Sequence, residues 1–314
     1  MCITIDKIKD ESKAKLNKLS AELATAYPEN SFNNICVYAC GSMGRLDMVK
    51  KTDLDLFFIT MDEKINLSET ERDAFFEKLL KINNKLEYGM PTQKYWKFTR
   101  RSDLLHIGSQ EEDYKNSFTA RLLLILESKP IYNERAYDLI VTETINAYFK
   151  DFPRPEGEKF HPLFLMNDIL RYWYTLTSNY EYRRDPNDSR NKKNWRRLKL
   201  KYARFITCFS MIACLYDENP SPDVIIKYIK MTPFERLREI SSRDSELQKL
   251  VAEIEKEYIW FLELRRVEDE AWWNNREQME LAYQKADSFH FIFKNFMKAL
   301  SDRNPNFHHK TDIW

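Results

Sequence analysis

Cys40-Gly-Ser-Met-Gly-Arg-Leu-Asp-Met-Val-Lys-Lys-Thr-Asp-Leu-Asp-Leu-Phe-Phe-Ile59 is the stretch that decides how this chain is read. It follows directly on an apolar run, Ile35-Cys-Val-Tyr-Ala-Cys40, of the kind that forms a buried strand. Gly41 and Gly44 are two of only five glycines in 314 residues. Placed three apart at a strand end, they mark a point where the backbone turns sharply or approaches a ligand closely. Asp53 and Asp55 flank Leu54, and the apolar run Leu56-Phe-Phe-Ile59 follows at once. Positions i and i+2 of a strand share a face, so the two carboxylates stand side by side. Neighbouring carboxylates repel and each resists burial, so a site that keeps both ionised supplies a cation. Oxygen-only ligands favour a hard ion, Mg2+ or Mn2+, which keeps some water and binds substrate phosphates as well. Taken alone, the glycines read as an ordinary hairpin turn and the aspartates as the wet face of an edge strand. Their order and spacing together argue against coincidence.

The combination resembles the signature of the DNA polymerase beta superfamily of nucleotidyltransferases, a Gly-Ser turn followed by Asp-x-Asp on the next strand. Within it, Gly44-Arg45 and Asp53-Leu-Asp-Leu56 are most similar to the nucleotidyltransferase domains of bacterial protein-PII uridylyltransferase and glutamine-synthetase adenylyltransferase. Gly108 to Ser128 and Asn167 to Leu176 resemble segments of bacterial proteins that carry such a domain. The resemblance implies metal-dependent transfer of a nucleoside monophosphate from an NTP to an acceptor hydroxyl. Asp53 and Asp55 would be the catalytic metal ligands, with Gly41, Ser42 and Arg45 at the nucleotide. The superfamily usually brings a third carboxylate from a later strand. Here Tyr95-Trp-Lys-Phe-Thr99 alternates like that strand but carries lysine, with arginine after it. Glu87 is a candidate by proximity in sequence alone, so the third carboxylate stays unassigned.

Length allows one large or two modest domains with ample core. A formal net charge of +1 provides no global pull toward nucleic acid or membrane, so an anion site must be local. Cys2, Cys36, Cys40, Cys208 and Cys214 are odd in number and mostly sit in apolar runs, which fits buried free thiols and a reducing, cytoplasmic setting. No run approaches the roughly 20 apolar residues of a membrane span, and the amino terminus lacks the apolar segment of a signal peptide. A soluble protein with no membrane partner is expected. The five histidines include no His-x-x-x-His pair, and His308-His309 fall in a polar tail, so no zinc site is expected.

Along the chain, apolar spacing predicts a helix from Ile5 to Ala26, and the capping box Ser68-Glu-Thr-Glu71 opens another that ends near Leu86. Phe118, Leu122, Ile125 and Leu126 form the stripe of a helix closed by Lys129-Pro130. Pro153-Arg-Pro-Glu-Gly157 divides a nucleotidyltransferase domain, residues 1–152, from a helical domain, residues 153–314. In the second half, Leu163, Met166, Ile169, Leu170 and Trp173 make one buried face, and Leu198, Tyr202, Phe205, Phe209 and Ile212 the next. Long helices, Ser242 to Arg265 and Glu268 to Leu300, close the chain beyond the polar loop Asp217 to Asn219. Trp272-Trp273 and Phe289 to Phe296 read as packing surface rather than a platform for stacked bases. The expected fold class is α+β, a small mixed sheet with flanking helices followed by a helical domain, the site lying in the cleft between the halves.

From Arg183 to Arg204 ten cations face only two acids. Such a run is usually a solvated face. Residues three or four apart on a helix can also converge on one ligand, as Arg197, Lys201 and Arg204 would, and on another stripe Asn167, Arg171, Thr175 and Ser178. A nucleotidyltransferase needs cations for the triphosphate and the departing pyrophosphate, which nominates Arg171, Lys201 and Arg204. An RNA surface would spread along the fold with exposed aromatics between its charges, and only one compact patch is present. The expected partner is therefore an NTP. The acceptor is open among a protein hydroxyl, an RNA end, a small molecule and a second nucleotide. The alternative is a regulatory module that binds a nucleotide without turnover.

Overall fold

The computed structural model describes residues 3–28, 34–49, 53–61, 68–89, 96–107, 117–150, 162–182, 190–216, 220–267, 272 and 274–303. Cys2, Tyr95, Gly108 to Asn116, Pro153 to Gly157, Arg183 to Ser189, Asp217 to Asn219, Trp273 and His308-His309 lie outside the described residues. The chain divides into two compact units, Asp6–Pro153 and Arg154–Trp314 with Met1–Ile5. The fold is α+β, with its one described sheet in the first of these.

Helix α1 (Ile5–Ala26) follows the predicted spacing: Ile8, Leu16, Leu19 and Leu23 are buried between charged positions. It leads to strand β1 (Ile35–Ala39), the short turn α2 (Gly41–Gly44) and strand β2 (Leu56–Thr60). Helix α3 (Glu69–Lys85) opens on the predicted capping box, in which the Ser68 hydroxyl accepts from the Glu71 amide and the Glu71 carboxylate accepts from the Ser68 amide. Strand β3 (Phe98–Arg100), helix α4 (Arg101–Leu105), helix α5 (Ser117–Glu127), strand β4 (Lys129–Tyr132) and helix α6 (Glu134–Lys150) complete the unit.

The sheet order is β3-β2-β1-β4, with β1 antiparallel to both β2 and β4 and β2 parallel to β3. The two inner strands are buried at every position, which is why they read as unbroken apolar runs rather than as alternation. Strand β4 was not predicted, because Pro130 reads as a stop. It lies at the sheet edge, where a residue without an amide hydrogen is tolerated, and the register slips between Val37 and Tyr38 beside it. On one face the sheet packs an aromatic cluster: Phe58 lies 5.6 Å from Phe75, 5.3 Å from Phe76 and 5.7 Å from Phe98, ring centre to ring centre.

Every described regular element of the second unit is helical: α7 (Leu163–Tyr182), α8 (Arg190–Lys199), a π-helical segment (Leu200–Arg204), α9 (Phe205–Leu215), α10 (Pro222–Lys230), α11 (Pro233–Ser241), α12 (Ser245–Leu264) and α13 (Arg276–Arg303). The predicted buried face Leu198, Tyr202, Phe205, Phe209, Ile212 is buried throughout. The face of α7 is turned from the predicted one: Leu165, Met166, Ile169 and Tyr172 are buried, whereas Leu163, Leu170 and Trp173 are half-buried. An apolar stripe wider than one residue leaves the rotation of the helix to its neighbours. Phe289, Phe293 and Phe296 are fully buried, as packing surface should be, whereas Phe291 of the same stretch is 65% exposed.

Phe58 is fully buried at the centre of the aromatic cluster. Replacing it with alanine should lower unfolding free energy by about 3–5 kcal/mol. Urea denaturation followed by circular dichroism checks this.

Candidate active site

Strand β1 does not stop its pairing at Ala39: the Cys40 amide donates to the Asp55 carbonyl at 2.8 Å, which carries the ladder to the Asp-Leu-Asp segment. The chain then enters the turn α2 at Gly41, whose φ of 66° is left-handed. A second constraint acts on the same residue. A Cβ at Gly41 would lie 2.6 Å from Asp55 Oδ2, so the carboxylate stands where a side chain would otherwise be. That contact brings together the glycine turn and the acidic pair, which the sequence separates.

The turn closes on itself through the Gly44 amide on the Cys40 carbonyl (3.2 Å), Arg45 on Gly41 (2.9 Å) and Asp47 on Ser42 (2.9 Å). Ser42 is half-buried within it. Gly44 has no room at all: a Cβ there would lie 1.9 Å from the Glu127 carbonyl oxygen and 2.8 Å from that of Ala39. Leu46 leaves the turn with a left-handed φ of 57°, a conformation that costs a leucine roughly 1–2 kcal/mol. The Met48 amide next donates to the Ser12 hydroxyl of α1 at 3.0 Å, pinning the exit.

Arg45, expected at the nucleotide, is held by two carboxylates. It is 7% exposed, and its guanidinium donates to Glu127 Oε2 at 2.5 Å and to the two oxygens of Asp47 at 3.0 and 3.2 Å. Its geometry is that of a buried clamp on the turn. Asp47 and Glu127 went unsingled in the sequence, Glu127 because it lies 82 residues from its partner.

Asp53 is exposed, Leu54 fully buried and Asp55 half-buried, and all three precede β2, which begins at Leu56, rather than lying on the strand where the spacing placed them. Asp53 makes an isolated parallel bridge with Gly89, and a Cβ at Gly89 would lie 2.5 Å from Asp53 Oδ1. Each aspartate thus occupies a cradle that a glycine vacates. Among the described residues no group of three or more His, Cys, Asp and Glu side chains is arranged to hold a metal ion. Strand β3 contributes Phe98, Thr99 and Arg100, and Glu87 is exposed at a left-handed φ of 55°. Two carboxylates still fit Mg2+, which is commonly held by one or two of them with water and phosphate oxygens filling its octahedron.

The remaining predicted residues belong to the second unit. Arg171 donates to Asp168 Oδ1 at 3.0 Å, one turn back on α7. Asn167, Thr175 and Ser178 are exposed on the same helix. Lys201 lies in the π-helical segment, its Nζ 2.7 Å from Asp287 Oδ1 of α13, and Arg204 is half-buried. The π turn was not predicted, since nothing in the local sequence distinguishes it from α. It changes the angular step between Lys201 and Arg204 from the one that a plain helix would set.

Residues 4–93, which span α1 to the segment after α3, match the family model described as "Putative nucleotidyltransferase DUF294". No curated protein and no solved structure matches the chain. The match covers Gly41, Ser42, Asp53, Asp55 and Gly89 together, and it does not separate one nucleotidyltransferase subgroup from another.

Removing Arg45 would leave Asp47 and Glu127 buried without their cation. Arg45→Ala should therefore destabilise the fold by about 3–5 kcal/mol. Denaturant titration checks it; a residue that serves chiefly as a nucleotide ligand would instead lose nucleotide affinity with the midpoint unmoved.

Proposed function

We propose that this protein is a nucleotidyltransferase that moves a nucleoside monophosphate from an NTP to an acceptor hydroxyl. One contact carries the proposal: the Asp55 carboxylate stands where a Gly41 side chain would be, which couples a backbone turn suited to phosphate with a carboxylate pair suited to a hard cation. Either half alone is common in proteins. The family match over residues 4–93 supports the same class of chemistry.

In this mechanism the acceptor oxygen bonds to the α-phosphorus, the bond from that phosphorus to the bridging oxygen breaks, and pyrophosphate leaves as the hydroxyl gives up its proton to solvent water. Asp53 and Asp55 would hold Mg2+ or Mn2+, whose chemistry is to offset phosphate charge and to lower the pKa of the attacking hydroxyl. The opening amides of α2 and the Ser42 hydroxyl donate to the terminal phosphates, as clustered N–H groups do elsewhere. The sequence further nominates Arg171, Lys201 and Arg204, all of the second unit, as cations for the departing pyrophosphate. The ion pair of Lys201 with Asp287 does not prevent this. Its side chains are 32% and 68% exposed, and such a pair holds with roughly 0–1 kcal/mol, less than a charge-assisted bond to a triphosphate.

The acceptor follows from resemblance alone: relatives that modify proteins favour a protein hydroxyl over an RNA end, a small molecule or a second nucleotide. The second reading is nucleotide binding without turnover, left open by a third carboxylate that the sequence does not assign.

Incubation of the protein with each labelled NTP, Mg2+ and a cell lysate separates the two. Label should pass to protein, and Asp53→Asn and Asp55→Asn should each abolish that transfer with the fold intact. Tight NTP binding with no labelled product of any kind would establish the binding module. Undiminished transfer by both variants would remove the aspartates from the chemistry. Lys201→Ala and Arg204→Ala should slow single-turnover transfer by about tenfold to a hundredfold, the equivalent of roughly 1.5–3 kcal/mol, while weakening NTP binding less.

A further inference from the structure

We propose that Gly89 is a positioning residue for Asp53, its absent side chain being the space in which the Asp53 carboxylate stands. The assignment rests on Asp53 being a metal ligand, as proposed above. A Cβ at Gly89 would meet Asp53 Oδ1 at 2.5 Å, and the next nearest heavy atoms are the Asp53 amide nitrogen at 3.4 Å and Cα at 3.5 Å. The last two distances are ordinary van der Waals contact. The first is not, so only the carboxylate conflicts with a side chain at this position.

The approach of the two residues is built into the backbone. Asp53 and Gly89 form a parallel bridge, and the chain reaches Gly89 through a closed turn after α3. There the Leu86 amide donates to Ile82 at 3.0 Å, the Tyr88 amide to Asn83 at 3.3 Å, and Glu87 takes its left-handed φ. The Tyr88 hydroxyl donates to the Lys15 carbonyl at 3.1 Å, which fastens the turn to α1. Gly89 is thus delivered to one place beside Asp53.

Conformation does not require glycine there. Among the described glycines Gly41 alone has a positive φ, so the backbone at Gly89 suits any residue. Space requires it instead, and the kind of neighbour decides the consequence. At Gly44 an added Cβ meets main-chain carbonyls that cannot move; at Gly89 it meets the end of a side chain that can rotate. An alanine at 89 therefore leaves the fold standing and turns the carboxylate of Asp53 out of its rotamer. With two carboxylates carrying the cation, misdirecting one weakens the site by about 10- to 100-fold, the usual effect of disturbing a group that orients a ligand.

The test uses the full chain, Mn2+ alone as the probe, and four proteins: wild type, Gly89→Ala, Asp53→Ala and the double variant. Mn2+ affinity is measured by calorimetry, stability by Tm, and transfer of labelled nucleotide as a function of Mg2+ concentration. Gly89→Ala should keep the wild-type Tm, bind Mn2+ about 10- to 100-fold more weakly and need correspondingly more Mg2+ for half-maximal transfer. In the Asp53→Ala background the same change at 89 should do nothing further, since the group it displaces is gone. Wild-type Mn2+ affinity and Mg2+ dependence in Gly89→Ala would overturn the inference and leave the nucleotidyltransferase reading intact. Absence of Mn2+ binding and of transfer in the wild type would overturn both. Should Gly89→Ala lose stability, recovery in the Asp53→Ala background supports the inference, and an equal loss there, which would place the clash with the backbone, overturns it.

Discussion

The junction between α5 and β4 passes directly over the signature turn, and the turn keeps its shape because of what that junction presents. The Glu127 carbonyl fills the place of a Gly44 side chain, while the Glu127 carboxylate takes the guanidinium of Arg45 from the next position. One residue of α5 thus holds the turn by main chain and side chain together. Ser128 follows, its hydroxyl bonded to the Leu124 carbonyl and paired with the Tyr137 hydroxyl, and then Lys129 pairs opposite Ala39 at the end of β1. Burying two carboxylates and one guanidinium gains little net stability, since desolvation offsets most of the attraction. The rigid fork of arginine has another value here: it fixes the direction of each carboxylate, which a point charge on a flexible stem would not. The left-handed Leu46 is tolerated inside that frame.

In the second unit polarity is handled differently. The π-helical segment presents the Lys201 carbonyl to His290 Nε2 at 2.6 Å, and because a carbonyl only accepts, that nitrogen carries the hydrogen. Burial lowers the pKa of His290, which favours the neutral ring that this bond needs no further proton to satisfy. One turn earlier on α13, Asp287 holds the side chain of the same lysine. Lys201 is therefore fastened by backbone and side chain to one helix, but strongly only by the first. Tyr202 turns inward beside it, stacked on Phe261 at 4.6 Å, and burial drives its phenol pKa upward. The result is a main chain anchored by a buried bond and a side chain held by an exposed ion pair.

Much of this could be read from residues near one another in the chain. Helix α1, the Ser68 capping box, the inner strands and the Gly-Ser turn all announce themselves through local periodicity, capping chemistry or apolar runs. What stayed hidden is what a distant residue decides. Arg45 sits in the signature and looks available to a ligand, yet Asp47 and Glu127 claim it, and no local pattern points from residue 45 to residue 127. Strand β4 was hidden by Pro130, which is a stop signal in isolation and harmless at an edge. The rotation of α7 and the π turn before α9 are set by packing against neighbours, a choice that a stripe of apolar residues leaves open.

What the sequence determined by itself is the class of element at each place and the presence of a turn and a carboxylate pair, because spacing, capping and the scarcity of glycine act over a few residues. What only the tertiary structure decided is which of those residues meet. Gly41 and Gly89 could be glycines for many reasons; Asp53, 2.5 Å from where a Cβ would be, supplies the one at Gly89, and at Gly41 Asp55, at 2.6 Å, adds to a left-handed φ. Such contacts depend on strand pairing that joins Cys40 to Asp55 and Asp53 to Gly89, and pairing register is a property of two chain segments together, never of either one.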